Sequence, residues 1–174
     1  MKIHDTSFTP EPTAFPDLES RISPDDHHDL HLWLRMQSCS TLIVNELRTR
    51  LRQNFQTTLP RFDLMAQLSQ NQAGMKMSDL SRQMMVTNGN ITGIVDQLEK
   101  EGLIERIRPL NDRRSSLIRL TPTGQQSYQT MAAAHQQWLN ELFVALPEQS
   151  RQHLFEHLGV LKQLARTVAL HPAA

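Results

Sequence analysis

From Asp25 to Phe55 the chain has no glycine or proline, and Leu30, Trp33, Leu34, Leu42, Ile43, Val44, Leu47, Leu51 and Phe55 fall on more than one helical face. That pattern predicts a helix of about 30 residues, about 45 Å long. It carries more apolar surface than a single lobe buries, which marks it as a dimerisation helix. Its start is written in Ser23-Pro24-Asp25-Asp26: a capping hydroxyl, a proline at the first helical position, and two acids at the positive end of the dipole. Before it, Pro10, Pro12 and Pro16 stand among polar and acidic residues, so residues 1–22 read as a flexible leader.

Helical spacing returns after Pro60, where Phe62, Leu64, Met65 and Leu68 predict a second helix reaching towards Gly74. A short helix from Ser78 to about Met85 follows, with Leu80 and Met84 inward, and Val86-Thr87 forms a tight connection. The next helix spans Asn88 to Glu101. Ile91, Ile94, Val95 and Leu98 form its buried stripe, Gly102 stops it, and its opposite face carries Asn88, Gly89, Asn90, Thr92, Gly93 and Asp96. The period then drops to two. Residues 103–108 and 116–120 alternate as half-buried strands, joined by the polar tip PLNDRRS. Thr121-Pro122-Thr123-Gly124 opens a long helix to about Ala145. Pro147-Glu148 opens a last one, with Leu154, Leu158, Leu161, Ala165 and Val168 on one face. The methionines Met75, Met77, Met84 and Met85 read as adaptable core packing.

Two short helices joined by a tight turn, with a basic-tipped hairpin next in the chain, make a winged helix-turn-helix. The expected fold is mainly α with a small β-hairpin wing. Residues 57–121 form the winged lobe, and residues 23–56 and 122–170 supply dimerisation helices.

Composition limits what such a chain does. Its 174 residues hold 18 basic and 18 acidic side chains and a single cysteine. One cysteine rules out a disulfide framework and a zinc site built from several thiolates. No apolar run reaches the roughly 18 residues of a spanning helix. MKIHDTSFTPEPTAF lacks the apolar core of a secretory signal, so the expected location is the cytoplasm. The zero net charge conceals a pattern. Residues 1–29 carry 2 basic and 7 acidic side chains, residues 30–62 carry 5 and 1, and residues 76–124 carry 8 and 6. Local charge of this kind steers an anion where the total does not.

A helix with a small polar face suits the major groove of duplex DNA. On it, Asn88 and Asn90 are candidates for adenine, and Thr87 and Thr92 for a phosphate or a thymine methyl. Gly89 and Gly93 each cost about 1 kcal/mol of helix stability, which suits a face where close approach to DNA is needed. Arg82 is placed to hold a phosphate. Arg113 and Arg114 at the hairpin tip suit a narrow minor groove, with Asp112 orienting one of them. No phosphate loop, paired-carboxylate motif or nucleophile motif points to an enzyme.

The stretch MSDLSRQMMVTNGNITGIVDQLEKEGLIERIRPLNDRRSSLIRLTPTG closely resembles the core of MarR-type transcriptional regulators. Its most specific parts are the wing Asp112-Arg113-Arg114-Ser115 and the segment Leu120–Gly124. With the flanking helices, the resemblance covers about residues 26–168. It implies a homodimer on a pseudo-palindromic operator, Asn88–Glu101 as the recognition helix, and Arg114 as the minor-groove arginine. Gly93 stands where many relatives carry arginine, and Asn88 where many carry proline or serine.

LWLRMQSCSTLIVNELRTRLRQNFQTTLPRFDLMAQL also resembles the branch that controls catabolism of hydroxycinnamates such as p-coumarate and ferulate. Members are typically repressors released by a hydroxycinnamate or its coenzyme A thioester. Their ligand pocket lies between the DNA-binding lobe and the dimerisation helices. No cofactor is implied. The expected effector is a hydroxycinnamoyl-CoA thioester or an aromatic carboxylate. Trp33, Met36, Cys39, Phe62 and Met65 are candidates for an apolar slot, with Arg35 as the anion partner.

Other signals compete. His27 and His31 stand at the i, i+4 spacing that a zinc sensor uses, but no cysteine lies near them in sequence. Cys39 is a candidate peroxide-sensing thiol, although its mid-helix position favours a buried small residue. A helical CoA-binding or interaction module without DNA specificity is the alternative from another class.

Overall fold

A computed structural model describes residues 27–84, 88–107 and 116–170; for Asn88 and residues 168–170 it gives the backbone alone. The leader, the Ser23-Pro24 helix start, the Val86-Thr87 connection and the hairpin tip lie outside the described residues. The described elements are α1 (His28–Phe55), α2 (Leu59–Ser69), β1 (Met75–Lys76), α3 (Met77–Met84), α4 (Asn88–Lys100), β2 (Ile104–Ile107), β3 (Leu117–Leu120), α5 (Pro122–Phe143) and α6 (Glu148–Leu170). The fold is mainly α with a small antiparallel sheet, in agreement with the expected class.

The chain divides into two compact units, residues 1–50 and 51–174. In the first, α1 turns Leu32, Trp33 and Leu42 outward. Arg50 donates to Glu46 at 2.6 Å, and Arg48 to Asn45 at 3.4 Å.

The core of the second unit is built from the stripes that periodicity predicts. Leu64, Met65 and Leu68 of α2, Leu80 of α3, and Ile91, Ile94, Val95 and Leu98 of α4 are all buried, together with Leu51, Ile104, Ile118 and Met131. α2 stops at Ser69, short of the expected reach to Gly74. Gly74 has φ +90°, and a side chain there would stand 3.1 Å from the Ile118 carbonyl oxygen. This left-handed glycine turns the chain into β1, a strand that the two-residue alternation did not reveal. β1 completes a sheet of order β1-β3-β2. Ile118 sits at its centre, paired with Met75 on one side and Arg106 on the other. The methionine cluster is partly core: Met75 is buried, and Met77 and Met84 pack against the cluster.

Gly102, at φ +71°, terminates α4 as expected. Thr121 caps α5, accepting from the Gly124 N–H at 3.0 Å and donating to the Gly102 carbonyl at 2.7 Å. The expected one-sided face of α6 is left exposed among the described residues. Every described α6 side chain is exposed, including Leu154, Leu158 and Leu161.

Candidate nucleic-acid interface

α3 and α4 pack against each other as the two helices of the helix-turn-helix, and β2 and β3 form the base of the wing. Burial of Ile91, Ile94, Val95 and Leu98 determines the rotation of α4. At 100° per residue, that rotation turns positions 89, 90, 92, 93 and 96 to solvent. Asn90 and Thr92 are exposed, and open space surrounds the position of any Cβ added at Gly89 or Gly93. The outward orientation expected of Gly89, Asn90, Thr92, Gly93 and Asp96 is observed, and the side chain of Asn88 lies outside the described residues. What protrudes is one amide, one hydroxyl, bare backbone and the Asp96 carboxylate, whose charge is met by Arg106.

Arg82, on the preceding helix, is 79% exposed, and its Nη1 lies 3.6 Å from Asp79. A contact that long holds the guanidinium weakly and leaves its donors directed at solvent. Asn88 begins α4, with its side chain outside the described residues. Thr87, Asp112, Arg113 and Arg114 also lie outside them.

Sequence reading missed the residue that joins the recognition helix to the wing. Arg106 of β2 donates to both Asp96 and Glu99 of α4. The hydrogen bond to Asp96 is the main reason its pKa is raised. The arginine is therefore an internal strut, although its sequence position beside a basic hairpin resembles that of a phosphate contact. Alternation in β2 gave no sign of it, because the partners sit seven and ten residues upstream on a helix. Replacing Arg106 with methionine should cost about 1 kcal/mol or less, since all three groups are partly solvated. It should weaken DNA binding more than stability, through loss of the angle between wing and helix. Paired denaturation and DNA titrations check this; equal DNA affinity would show that the strut does not position the wing.

The candidate effector residues fall into two groups. Trp33 is 57% exposed on α1, Arg35 and Cys39 are exposed, and Met36 is half-buried. The expected buried position is taken by Ser38 and not by Cys39: one residue is a 100° rotation, enough to turn the thiol outward. Phe62 and Met65 are core residues of the second unit. Phe62 stacks on His135 at 4.8 Å and lies 5.7 Å from Tyr128. Burial lowers the His135 pKa, which disfavours the charged ring against Phe62. Among the described residues, no group of three or more His, Cys, Asp or Glu is placed to hold a metal ion, and no helix is long and apolar enough to cross a membrane.

Residues 57–116 match the MarR family model. A MarR family transcriptional regulator from Silicibacter pomeroyi superposes with a TM-score of 0.66 at 30% identity, over 82% of this chain and 99% of that one. The transcriptional activatory protein BadR of Rhodopseudomonas palustris is 27% identical over 66% of this chain and 69% of its own length. The homoprotocatechuate degradative operon repressor of Escherichia coli is 32% identical over 50% of this chain and 61% of its own length. The chain thus spans about two thirds of the length of these curated relatives. The helix-turn-helix geometry, the family match and the near full-length structural likeness converge: this chain belongs to the MarR family of transcriptional regulators.

Proposed function

We propose that this protein is a DNA-binding transcriptional repressor, a homodimer on a pseudo-palindromic operator, released by an aromatic carboxylate or its coenzyme A thioester. The observation that carries DNA binding is the outer face of α4. It offers exposed Asn90 and Thr92 beside two glycines with open space above them, on a helix locked in rotation by its buried stripe. Asparagine makes a bidentate pair with adenine in the major groove, and bare backbone brings the helix close enough for that pair to form. Thr87, Asn88 and Arg82 extend the contact set, and Arg113 and Arg114, with Asp112 to orient one of them, are proposed for the minor groove.

Asn90→Ala should cost about 1–3 kcal/mol against the operator and little against random duplex. Unchanged discrimination between the two would remove Asn90 from the base-reading set.

The homodimer is supported by α6, whose apolar side chains are exposed among the described residues, and by the dimeric habit of MarR regulators. Two-fold symmetry then places two recognition helices one helical turn apart, about 34–36 Å. Repression and an aromatic effector are supported by the E. coli relative, which by name represses a homoprotocatechuate degradative operon. BadR is named an activatory protein, so the direction of control is itself a test.

The hydroxycinnamate reading rests on the resemblance of the α1 region and on the 5 basic against 1 acidic side chain of residues 30–62. Arg35, with Trp33, Met36, Cys39, Phe62 and Met65, is proposed for the effector. The DNA complex is challenged with p-coumarate and, separately, with p-coumaroyl-CoA. Release by either supports the hydroxycinnamate reading and names the ligand form; release by neither overturns that reading.

A further inference from the structure

We propose that His153 and His157 on α6 chelate one divalent transition-metal ion, of the Zn²⁺ or Cu²⁺ class, within the surface through which α6 meets a second copy of the chain. The two residues stand four apart in α6, so they lie about one turn apart and within about 40° of each other around the helix axis. Their rings are neighbours, with centroids 6.5 Å apart and planes inclined by 54°. Both side chains are exposed.

Imidazole is the commonest protein ligand for such ions. A metal–nitrogen distance of about 2.0–2.1 Å, at the angles of a four-coordinate ion, brings two ring centroids to about 4.5–5.5 Å. Closing from 6.5 Å takes a small rotation of two exposed side chains. The helix already fixes their backbone spacing. Glu156 accepts a hydrogen bond from Gln152 at 2.6 Å, on a neighbouring face of α6. The pair is therefore a two-ligand site, with water or the imidazoles of a second copy at the remaining positions. Two imidazoles also select the ion: Mg²⁺ and Ca²⁺ take oxygen ligands, whereas Zn²⁺, Cu²⁺ and Ni²⁺ accept imidazole.

The neighbours of the pair place it in a seam. His153, His157, Val160 and Leu164 follow the i, i+4, i+7, i+11 spacing of residues through which one helix meets another. Val160 and Leu164 are 57% and 58% exposed. A seam that opens with two imidazoles is costly to bury between copies, because the ring nitrogens lose water. A metal ion takes one nitrogen of each ring as a ligand and lowers that cost, so it should tighten the dimer. This last step rests on the homodimer of the proposed function; the chelate needs only one chain.

The test uses the full-length chain without an affinity tag, carrying His27→Gln and His31→Gln to remove the other histidines of this spacing. Zn²⁺ and Cu²⁺ are the probes in titration calorimetry at about pH 7.5, where metal competes well with protons. Both should bind, Cu²⁺ more tightly than Zn²⁺, and Mg²⁺ at about 1 mM should displace neither. Adding His153→Gln or His157→Gln should weaken Zn²⁺ by about tenfold or more, since one ligand of two is lost. The residues replaced are exposed, so the fold is left intact. Absence of Zn²⁺ binding at about 100 µM, displacement by Mg²⁺, or unchanged affinity in either variant would overturn the chelate. Sedimentation velocity with and without Zn²⁺ reads the second part. Zn²⁺ should lower the dimer dissociation constant several-fold, and His153→Gln should abolish that response. A dimer indifferent to bound Zn²⁺ would overturn the placement of the pair in the interface. A chain that stays monomeric throughout would count against the proposed homodimer, and calorimetry would still decide the chelate.

Discussion

Gly124→Ala should destabilise the protein by about 3 kcal/mol, lowering the melting temperature by roughly 6–12 °C for a chain of this size. A Cβ at position 124 would lie 1.8 Å from the Leu103 carbonyl oxygen and 2.7 Å from its carbon. Both are backbone atoms, so no side-chain rotation relieves the overlap. The backbone there has little room to give way. The Thr121 N–H donates to that same Leu103 carbonyl at 3.0 Å, and the Thr121 hydroxyl donates to Gly102 at 2.7 Å. Parting α5 from the start of β2 would break this cluster and open the core around Ile104, which is buried. Gly89→Ala is the matched control. Nothing stands within 4 Å of its added methyl, and the helix should gain about 1 kcal/mol in propensity. The two alanines should thus move thermal stability in opposite directions. Equal melting temperatures for Gly124→Ala and the parent would mean that the α5–β2 junction yields easily, and the described clamp would be wrong.

Leu158→Asp should convert a dimer into a monomer at micromolar concentration, raising the dissociation constant by about 100-fold or more. Leu154, Phe155, Leu158, Val160, Leu161 and Leu164 are between 37% and 76% exposed in the single chain. An apolar surface this long on one helix is a protein-interaction surface. A charge at its centre must be desolvated for two copies to meet, and it is met by its own symmetry mate. Because no described α6 side chain is buried in its own chain, the substitution should leave the monomer's core intact. Sedimentation velocity with a parallel melt separates the two effects. An unchanged sedimentation coefficient would remove α6 from the dimer interface.

The architecture was legible where one element carried its own period. The α4 stripe Ile91, Ile94, Val95 and Leu98 is local, and burying it is what exposes Asn90 and Thr92. Contacts between distant segments were not legible. β1 is two residues long, too short to alternate, and it exists because β3 pairs with it from over forty positions away. Gly124 read as part of a helix start, whereas its closest approach is to Leu103, a contact that only folding creates. Arg61 donates to the Glu101 carboxylate across a separation of 40 residues. Within the basic tract of residues 30–62, nothing distinguished Arg61 from arginines such as Arg52 that face solvent. Arg106 shared the basic character of the wing and proved to be an internal tie to Asp96 and Glu99. Charge was visible in the sequence; which charges are spent inside the protein was not.

Specific recognition of DNA by this protein is decided by one titration. Purified protein is added to a labelled duplex from upstream of its own gene, and to a scrambled duplex of equal length and composition, at about 150 mM salt with fluorescence anisotropy as the readout. Binding to the upstream duplex should be tighter by at least about 10³-fold. Equal affinity for the two duplexes would contradict specific recognition.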